Sequence, residues 1–326
     1  MFGNLINIHD FIRIYDKIKQ GYFKKIVSKL FHSQRSRVRI SWTDEIAEPH
    51  NWWDIPAVQR RWNFLITGDW NTTYYQYIGQ KYLSKMSGIK GLSLACGTGR
   101  REVQWAKVAD FARIDAFDIS PSRIAAARKL AKDENLDDII SFQVGDVLKM
   151  RFVPNEYDVV FVEQALHHFS PLDEIIAKIY DALAPNGYLI LNEYVGPNRF
   201  QWTDKQLEIA NNLLSSIPER YRKIWRTNRI KRKIYRPSRL MMILNDPSEA
   251  VESSKIIPAL KKYFEIIEFK GYGGAILHLL FADIAQNFLS DDDQTREILR
   301  FCFHTEDRAI QTGEVQNDFV VMVCKK

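Results

Sequence analysis

The ten residues Gly91-Leu92-Ser93-Leu94-Ala95-Cys96-Gly97-Thr98-Gly99-Arg100 constrain the chain most. A short apolar run enters a glycine turn there and leaves it as a helix. Glycine lacks a Cβ and tolerates positive φ, so the backbone can turn tightly and approach a ligand closely. A second apolar run, 114–118, ends in Asp118, nineteen residues after Gly99. That is close to the ~20-residue spacing at which a strand-end carboxylate meets a ribose hydroxyl in a nucleotide-binding βαβ unit.

The rest of the chain repeats this alternation. Strands are expected at 92–95, 114–118, 139–144, 157–162, 188–192, 264–269 and 318–323. Ser120-Pro121 is a good N-cap and first-turn pair for a helix over 122–132. A helix over 172–183 should stop at Pro185-Asn186-Gly187. Runs that are apolar throughout suit parallel strands buried on both faces, so the fold class is α/β with a doubly wound sheet.

Five segments follow from this pattern. Residues 1–40 form a basic amphipathic segment, with Phe11, Ile14, Ile18 and Tyr22 at helical spacing and Lys17, Lys19, Lys24 and Lys25 between them. Its stretch 11–39 is a candidate for peripheral contact with an anionic membrane surface. Residues 41–90 are an aromatic-rich helical cover, 91–196 the cofactor-binding core, 197–260 a basic helical lid, and 261–326 the final strands. The lid carries nine Lys and Arg between 222 and 239, and no acid lies between Glu219 and Asp246. It should sit beside the carboxyl ends of the strands, where open α/β sheets bind ligands.

Composition narrows the setting. The three cysteines of the 326 residues are far apart and form no CxxC pair, so neither a zinc site nor a disulfide framework is expected. The formal charge of +6 is a mild basic excess. The N-terminal ten residues are too interrupted by polar groups for a signal-peptide core, and the longest apolar run is far too short to span a bilayer. The expected setting is cytoplasmic or membrane-peripheral.

Glu102 decides the cofactor. A pyrophosphate-binding loop wants glycine three residues after Gly99, whereas an acid at that helix start repels phosphate. An adenosine ligand without phosphates, S-adenosylmethionine, fits better. With this the chain resembles the class I S-adenosylmethionine-dependent methyltransferases. The resemblance implies a Rossmann-like, mainly parallel seven-stranded sheet with an antiparallel last strand. It implies that Ser93, Ala95, Cys96, Gly97 and Gly99 wrap the methionine and ribose part of the cofactor. Asp118, with Ile119, would bind the ribose hydroxyls. Asp146, between Gly145 and Val147, would accept from the adenine amino group. Glu163 and Gln164 would lie near the reacting centre, and S-adenosyl-L-homocysteine would be the product. Two departures bear on affinity. Ser93 stands where the family commonly has an acid, and Ala95 where it has glycine. The segments 193–197, 201–203 and 246–250 further resemble a bacterial subgroup associated with glycan and glycolipid biosynthesis.

Methyl transfer is an in-line displacement, and a hydroxyl acceptor needs help in losing its proton. His167 or His168 is the expected general base, because imidazole titrates near neutrality, with Glu193 orienting a histidine or the substrate. Tyr194, Arg229, Arg232 and His278 are candidates for the acceptor. No clustered carboxylates accompany the histidines in sequence, so no metal is expected. The leading expectation is O-methylation of a small molecule, a sugar nucleotide or a lipid-linked glycan. An RNA methyltransferase using 222–239 and a cofactor-binding scaffold with little turnover are the alternatives, with nucleic acid the less expected partner.

Overall fold

The computed structural model describes residues 51–326, together with Asp10, Tyr15 and residues 17–22. The amphipathic helix expected over 1–40 and its membrane-facing stretch 11–39 otherwise lie outside the described residues. Lys17 forms an ion pair with Asp283 at 3.2 Å, and the Gln20 amide donates to the Trp225 carbonyl. No helix among the described residues is long and apolar enough to cross a membrane.

Seven strands form one sheet: β1 Ile89–Leu94, β2 Phe111–Asp118, β3 Ile140–Val144, β4 Tyr157–Glu163, β5 Leu183–Tyr194, β6 Glu265–Gly271 and β7 Phe319–Lys325. Their order is β3-β2-β1-β4-β5-β7-β6. All neighbours are parallel except β7, which runs antiparallel to both β5 and β6. Gly91 of β1 lies beside Ile114 on one side and Val159 on the other. Alternate side chains point to opposite faces. Val159, Phe161 and Ile190 enter one core layer, and Val160, Val162 and Leu191 the other. Each fully buried aliphatic side chain of this kind contributes ~1.5–3 kcal/mol, which is why the strands read as unbroken apolar runs.

The helices are α1 Pro56–Thr67, α2 Tyr74–Ile78, α3 Arg100–Val108, α4 Pro121–Asp133, α5 Leu172–Ala182, α6 Asp204–Ser216, α7 Arg239–Asn245, α8 Ile256–Leu260, α9 Leu277–Phe281 and α10 Asp293–Gln311. α3 starts at Gly99, whose φ of 79° suits glycine. A Cβ there would meet Phe142 Cζ at 2.5 Å and Ala127 Cβ at 2.9 Å. The third contact that a pyrophosphate loop assigns to a later glycine is therefore made by Gly99 itself, which lets α3 lie against β3 and α4.

Two expectations need correction. α5 ends at Ala182, and Leu183 already pairs with Tyr157, so β5 begins five residues before Tyr188. Ala184 precedes a proline, which disfavours helical backbone, and Asn186 takes φ 65° inside the strand. Within 197–260 the chain is helical at α6, α7 and α8, but the basic stretch between them is not. Over 223–238 the chain is irregular, with a single bridge between Lys223 and Ile230. Arg222 and Arg226, Arg229 and Lys233, and Arg232 and Arg236 would each stand four apart on a helix, where like charges repel. Extended, these side chains serve the fold instead. Lys231 Nζ donates to the carbonyls of Leu279, Leu280 and Ala282. Arg236 donates to the Trp202 carbonyl and pairs with Asp204.

Candidate functional site

The glycine loop leaves β1 through Ala95 at φ 58°, Gly97 at φ 58° and Gly99 at φ 79°. Left-handed backbone costs a non-glycine residue ~1–2 kcal/mol, so Ala95 is held there by its surroundings. Asp118 at the end of β2 holds the loop. Its Oδ2 accepts from the Gly97 amide at 3.0 Å and its Oδ1 from the Ser120 amide at 2.8 Å. The Gly145 amide donates to the Asp118 carbonyl at 2.9 Å, which brings Asp146 and Val147 alongside. Asp146 Oδ1 accepts from the Leu148 amide at 3.2 Å, and Val147 is buried. Cys96 is buried, and burial raises its thiol well above the usual range. Ile119 is half-buried between Asp118 and Ser120.

Ser93 and Glu102 form a pair that the sequence reading treated separately. Ser93 Oγ donates to Glu102 Oε1 at 2.6 Å, and both residues are buried. Glu102 therefore does not face outward at the helix start. It fills the space beside β1 that an acid at position 93 would occupy. A carboxylate beside position 93 is thus supplied by α3. Burial pushes the Glu102 carboxyl up to about 7, and its Oε2 has no partner among the described residues. An acid whose pKa is higher folded than unfolded binds protons more readily when folded. Stability then falls as pH rises from about 4.5 to about 7 and is lowest above that window. Glu102→Gln keeps the acceptor for Ser93 and removes the charge. In the cofactor-free protein it should match the wild type at pH 4.5 and exceed it by ~3 kcal/mol at pH 8. Scanning calorimetry at the two pH values measures this, and an equal difference at both would contradict it.

Glu163 ends β4 under a cover of aromatic donors. The Trp105 indole donates to its Oε1 at 2.5 Å, and the Tyr74 and Tyr75 hydroxyls donate to its Oε2. Arg101 donates to its carbonyl at 2.6 Å. Trp105 stacks on Phe161 at 4.7 Å. Gln164 takes φ 52°, and its amide donates to Asn192 Oδ1 at 3.0 Å. Asp118 and Glu163 thus stand at the ends of the two strands that flank β1, on either side of the glycine loop. Tyr74, Tyr75, Arg101 and Trp105 were not singled out for the site in the sequence. For Tyr74 and Tyr75 the signal was the density of aromatic residues over 41–90, whereas Arg101 and Trp105 lie on α3 and had none.

A second polar cluster follows directly. Glu193 is fully buried, and its Oε2 accepts from the Ala165 and Leu166 amides at 3.0 and 2.6 Å. Its Oε1 accepts from the Tyr194 amide at 2.6 Å and faces His167 Nδ1. The other nitrogen of that ring, Nε2, lies 3.4 Å from Glu249 Oε1. Burial opposes a charge on His167, but Glu193 and Glu249 outweigh it and raise the imidazole to about 10. His167 is therefore a proton donor at neutral pH rather than the base expected for either histidine. Burial and the charge on His167 push His168 down, so this ring stays neutral. His168 Nδ1 lies 3.2 Å from Ser248 Oγ, which donates to Asp246 Oδ1 at 2.6 Å. Ser248 and Glu249 come from the insertion. The Val251 amide donates to the His167 carbonyl at 3.3 Å, and the Arg199 guanidinium donates to the Glu249 carbonyl at 3.2 Å.

The acceptor candidates divide. Tyr194 is buried, and its hydroxyl donates to the Pro197 carbonyl at 3.0 Å, so it packs the core. His278 sits among the rings of Trp52, Phe200, Trp202 and Phe319, and burial lowers it to about 4. Arg232 is exposed and faces Glu219 at 3.8 Å, and Arg229 is half-buried in the irregular stretch. A cavity of about 600 Å³ is lined by Pro197, Asn198, Arg199, Gln201, Arg239, Ile243 and Ser254, and its Arg199 also donates to the Glu249 carbonyl.

Residues 85–244 match the family model of a methyltransferase domain. The chain is 29% identical over 125 residues to a sterol 24-C-methyltransferase of Saccharomyces cerevisiae, covering 37% of this chain and 32% of that one. It is 27% identical over 113 residues to a ubiquinone/menaquinone biosynthesis C-methyltransferase of Dinoroseobacter shibae, covering 35% and 45%. The chain thus spans less than half the length of either. A solved structure of phosphoethanolamine N-methyltransferase 2 of Haemonchus contortus with S-adenosyl-L-methionine aligns over 83% of this chain and 56% of that one, at 18% identity and a TM-score of 0.48.

Proposed function

We propose, from the methyltransferase-domain match over residues 85–244, that this chain is a class I S-adenosylmethionine-dependent methyltransferase that methylates a hydroxyl of a sugar, a glycan or another small molecule. The observation that carries this reading is the pair of adjacent imidazoles at the strand ends. Each is oriented through Nδ1, one by Glu193 and the other by Ser248. Such a cluster suits the removal of a proton from a hydroxyl, which a strongly nucleophilic acceptor would not need. The bound cofactor supplies a methyl group on a sulfonium. A bond would form between the acceptor oxygen and that carbon as the carbon–sulfur bond breaks, and the hydroxyl proton would leave to His168, the ring that burial and the charge on His167 keep neutral.

The cavity lined by Arg199 and Arg239 lies within the ~300–1,000 Å³ range of small-molecule sites. Its amides and hydroxyl suit a sugar, and Arg199 and Arg239 suit a phosphate linked to it. A sugar nucleotide or a lipid-linked glycan has both features, in a cytoplasmic or membrane-peripheral setting. Carbon methylation is the second reading. Both curated relatives named above are C-methyltransferases, and the rings around His278 offer an apolar wall.

Methyl-labelled cofactor incubated with the protein and with glycan, lipid and RNA fractions decides between them. Label released as an O-methyl sugar on acid hydrolysis is the expected result. Label in the carbon skeleton of an extractable lipid would favour the second reading, and label confined to RNA would overturn both.

A further inference from the structure

We infer that His167, His168 and Glu249 form a binding site for one imidazole-preferring divalent ion such as Zn2+. A ligand atom from each lies within 4.8 Å of the other two. The separation of His167 Nε2 from Glu249 Oε1, 3.4 Å, already equals the edge of a tetrahedron with metal–ligand bonds of ~2.0–2.1 Å. The histidines are neighbours on the short turn Leu166–His168, with ring centroids 4.1 Å apart.

The surroundings orient both rings the same way. Metal-bound histidines almost always give their other ring nitrogen to a carboxylate, a carbonyl or water. Glu193 takes Nδ1 of His167 directly, and Asp246 takes Nδ1 of His168 through the Ser248 hydroxyl. Nε2 is then the ligating nitrogen in each ring, and on His167 the ion displaces the Nε2 proton that otherwise faces Glu249. Glu193 is locked in turn by three backbone amides, so the first ring cannot easily swing away. Two imidazoles and one carboxylate favour a first-row transition ion over Mg2+, which prefers oxygen ligands.

Glu249 is the donor that sequence spacing could not supply. It reaches the histidines because the insertion is fastened to their turn, through the Val251 amide on the His167 carbonyl. An ion here would staple the insertion to the strand ends. Such an ion also lowers the pKa of an oxygen bound to it, which is the task the hydroxyl reading gives this cluster. That role rests on the proposed function, whereas the site rests on its donors alone.

The test uses the full chain freed of metal by a chelator. Zn2+ binding is followed by calorimetry and Co2+ binding by its visible absorption. One ion per chain is expected, with no competition from Mg2+. Glu249→Gln and His168→Gln should each weaken binding by ~100-fold, and Ser248→Ala by ~10-fold. S-adenosylhomocysteine binding, measured in parallel, shows that the variants are folded. No stoichiometric binding, or equal affinity in wild type and both ligand variants, overturns the site. Cofactor binding and methyl transfer that persist without metal binding would sink the ion and leave the transferase reading intact. Ion binding without any O-methyl product would do the reverse.

Discussion

Asp118→Ala is expected to weaken cofactor binding by at least ~100-fold in a calorimetric titration with S-adenosylhomocysteine. Three losses combine. The Gly97 amide loses its acceptor at 3.0 Å, so the turn that must lie against the ligand loosens. The Ser120 amide loses its acceptor at 2.8 Å, at the entry to α4. The proposed contact to the ribose hydroxyls would lose its carboxylate. Hydrogen bonds to a charged group contribute ~1.5–3 kcal/mol each, so two are enough for the expected factor. Asp118→Asn separates the parts. Its amide keeps one acceptor oxygen for Gly97 or Ser120 and turns an NH2 towards the other donor. It should bind between wild type and alanine, at a cost of ~10-fold or more. An affinity within threefold of wild type for Asp118→Ala would remove this residue from the cofactor site.

The sheet was legible because its strands are buried on both faces, so their composition alone marks them. The glycine loop was legible because positive φ restricts the residue type. The pairing of Ser93 with Glu102 was not, although both residues were noted. A carboxylate on a helix and a hydroxyl on the preceding strand form one unit only when α3 folds back along β1. The basic stretch was only partly legible for a related reason. Its charge density suggested one common task, but Lys231 and Arg236 are engaged by backbone carbonyls that no local pattern announces. Glu249 was quoted in the sequence only as part of a resemblance. Its approach to His167 depends on contacts made by Val251 and Arg199, both of them long-range.

Glu193 should prove the most sensitive single position for stability. Its buried carboxylate receives four donors: the amides of Ala165, Leu166 and Tyr194, and the His167 ring. Glu193→Gln is nearly isosteric but has one acceptor oxygen and one NH2. Whichever way the amide turns, an N–H faces an N–H, and the charge opposite His167 is gone. Breaking a buried ion pair from one side costs ~3–5 kcal/mol, because the remaining charge stays buried and uncompensated. His167→Asn provides the control, since it removes the ring but leaves the three amides satisfied by Glu193. In urea unfolding, Glu193→Gln should lose at least ~1 kcal/mol more than His167→Asn. Equal losses would mean that the backbone donors contribute nothing beyond the imidazole. The turn carrying both histidines would then be held by packing of Leu166 and Phe169, and Glu193 would serve only to set the charge of His167.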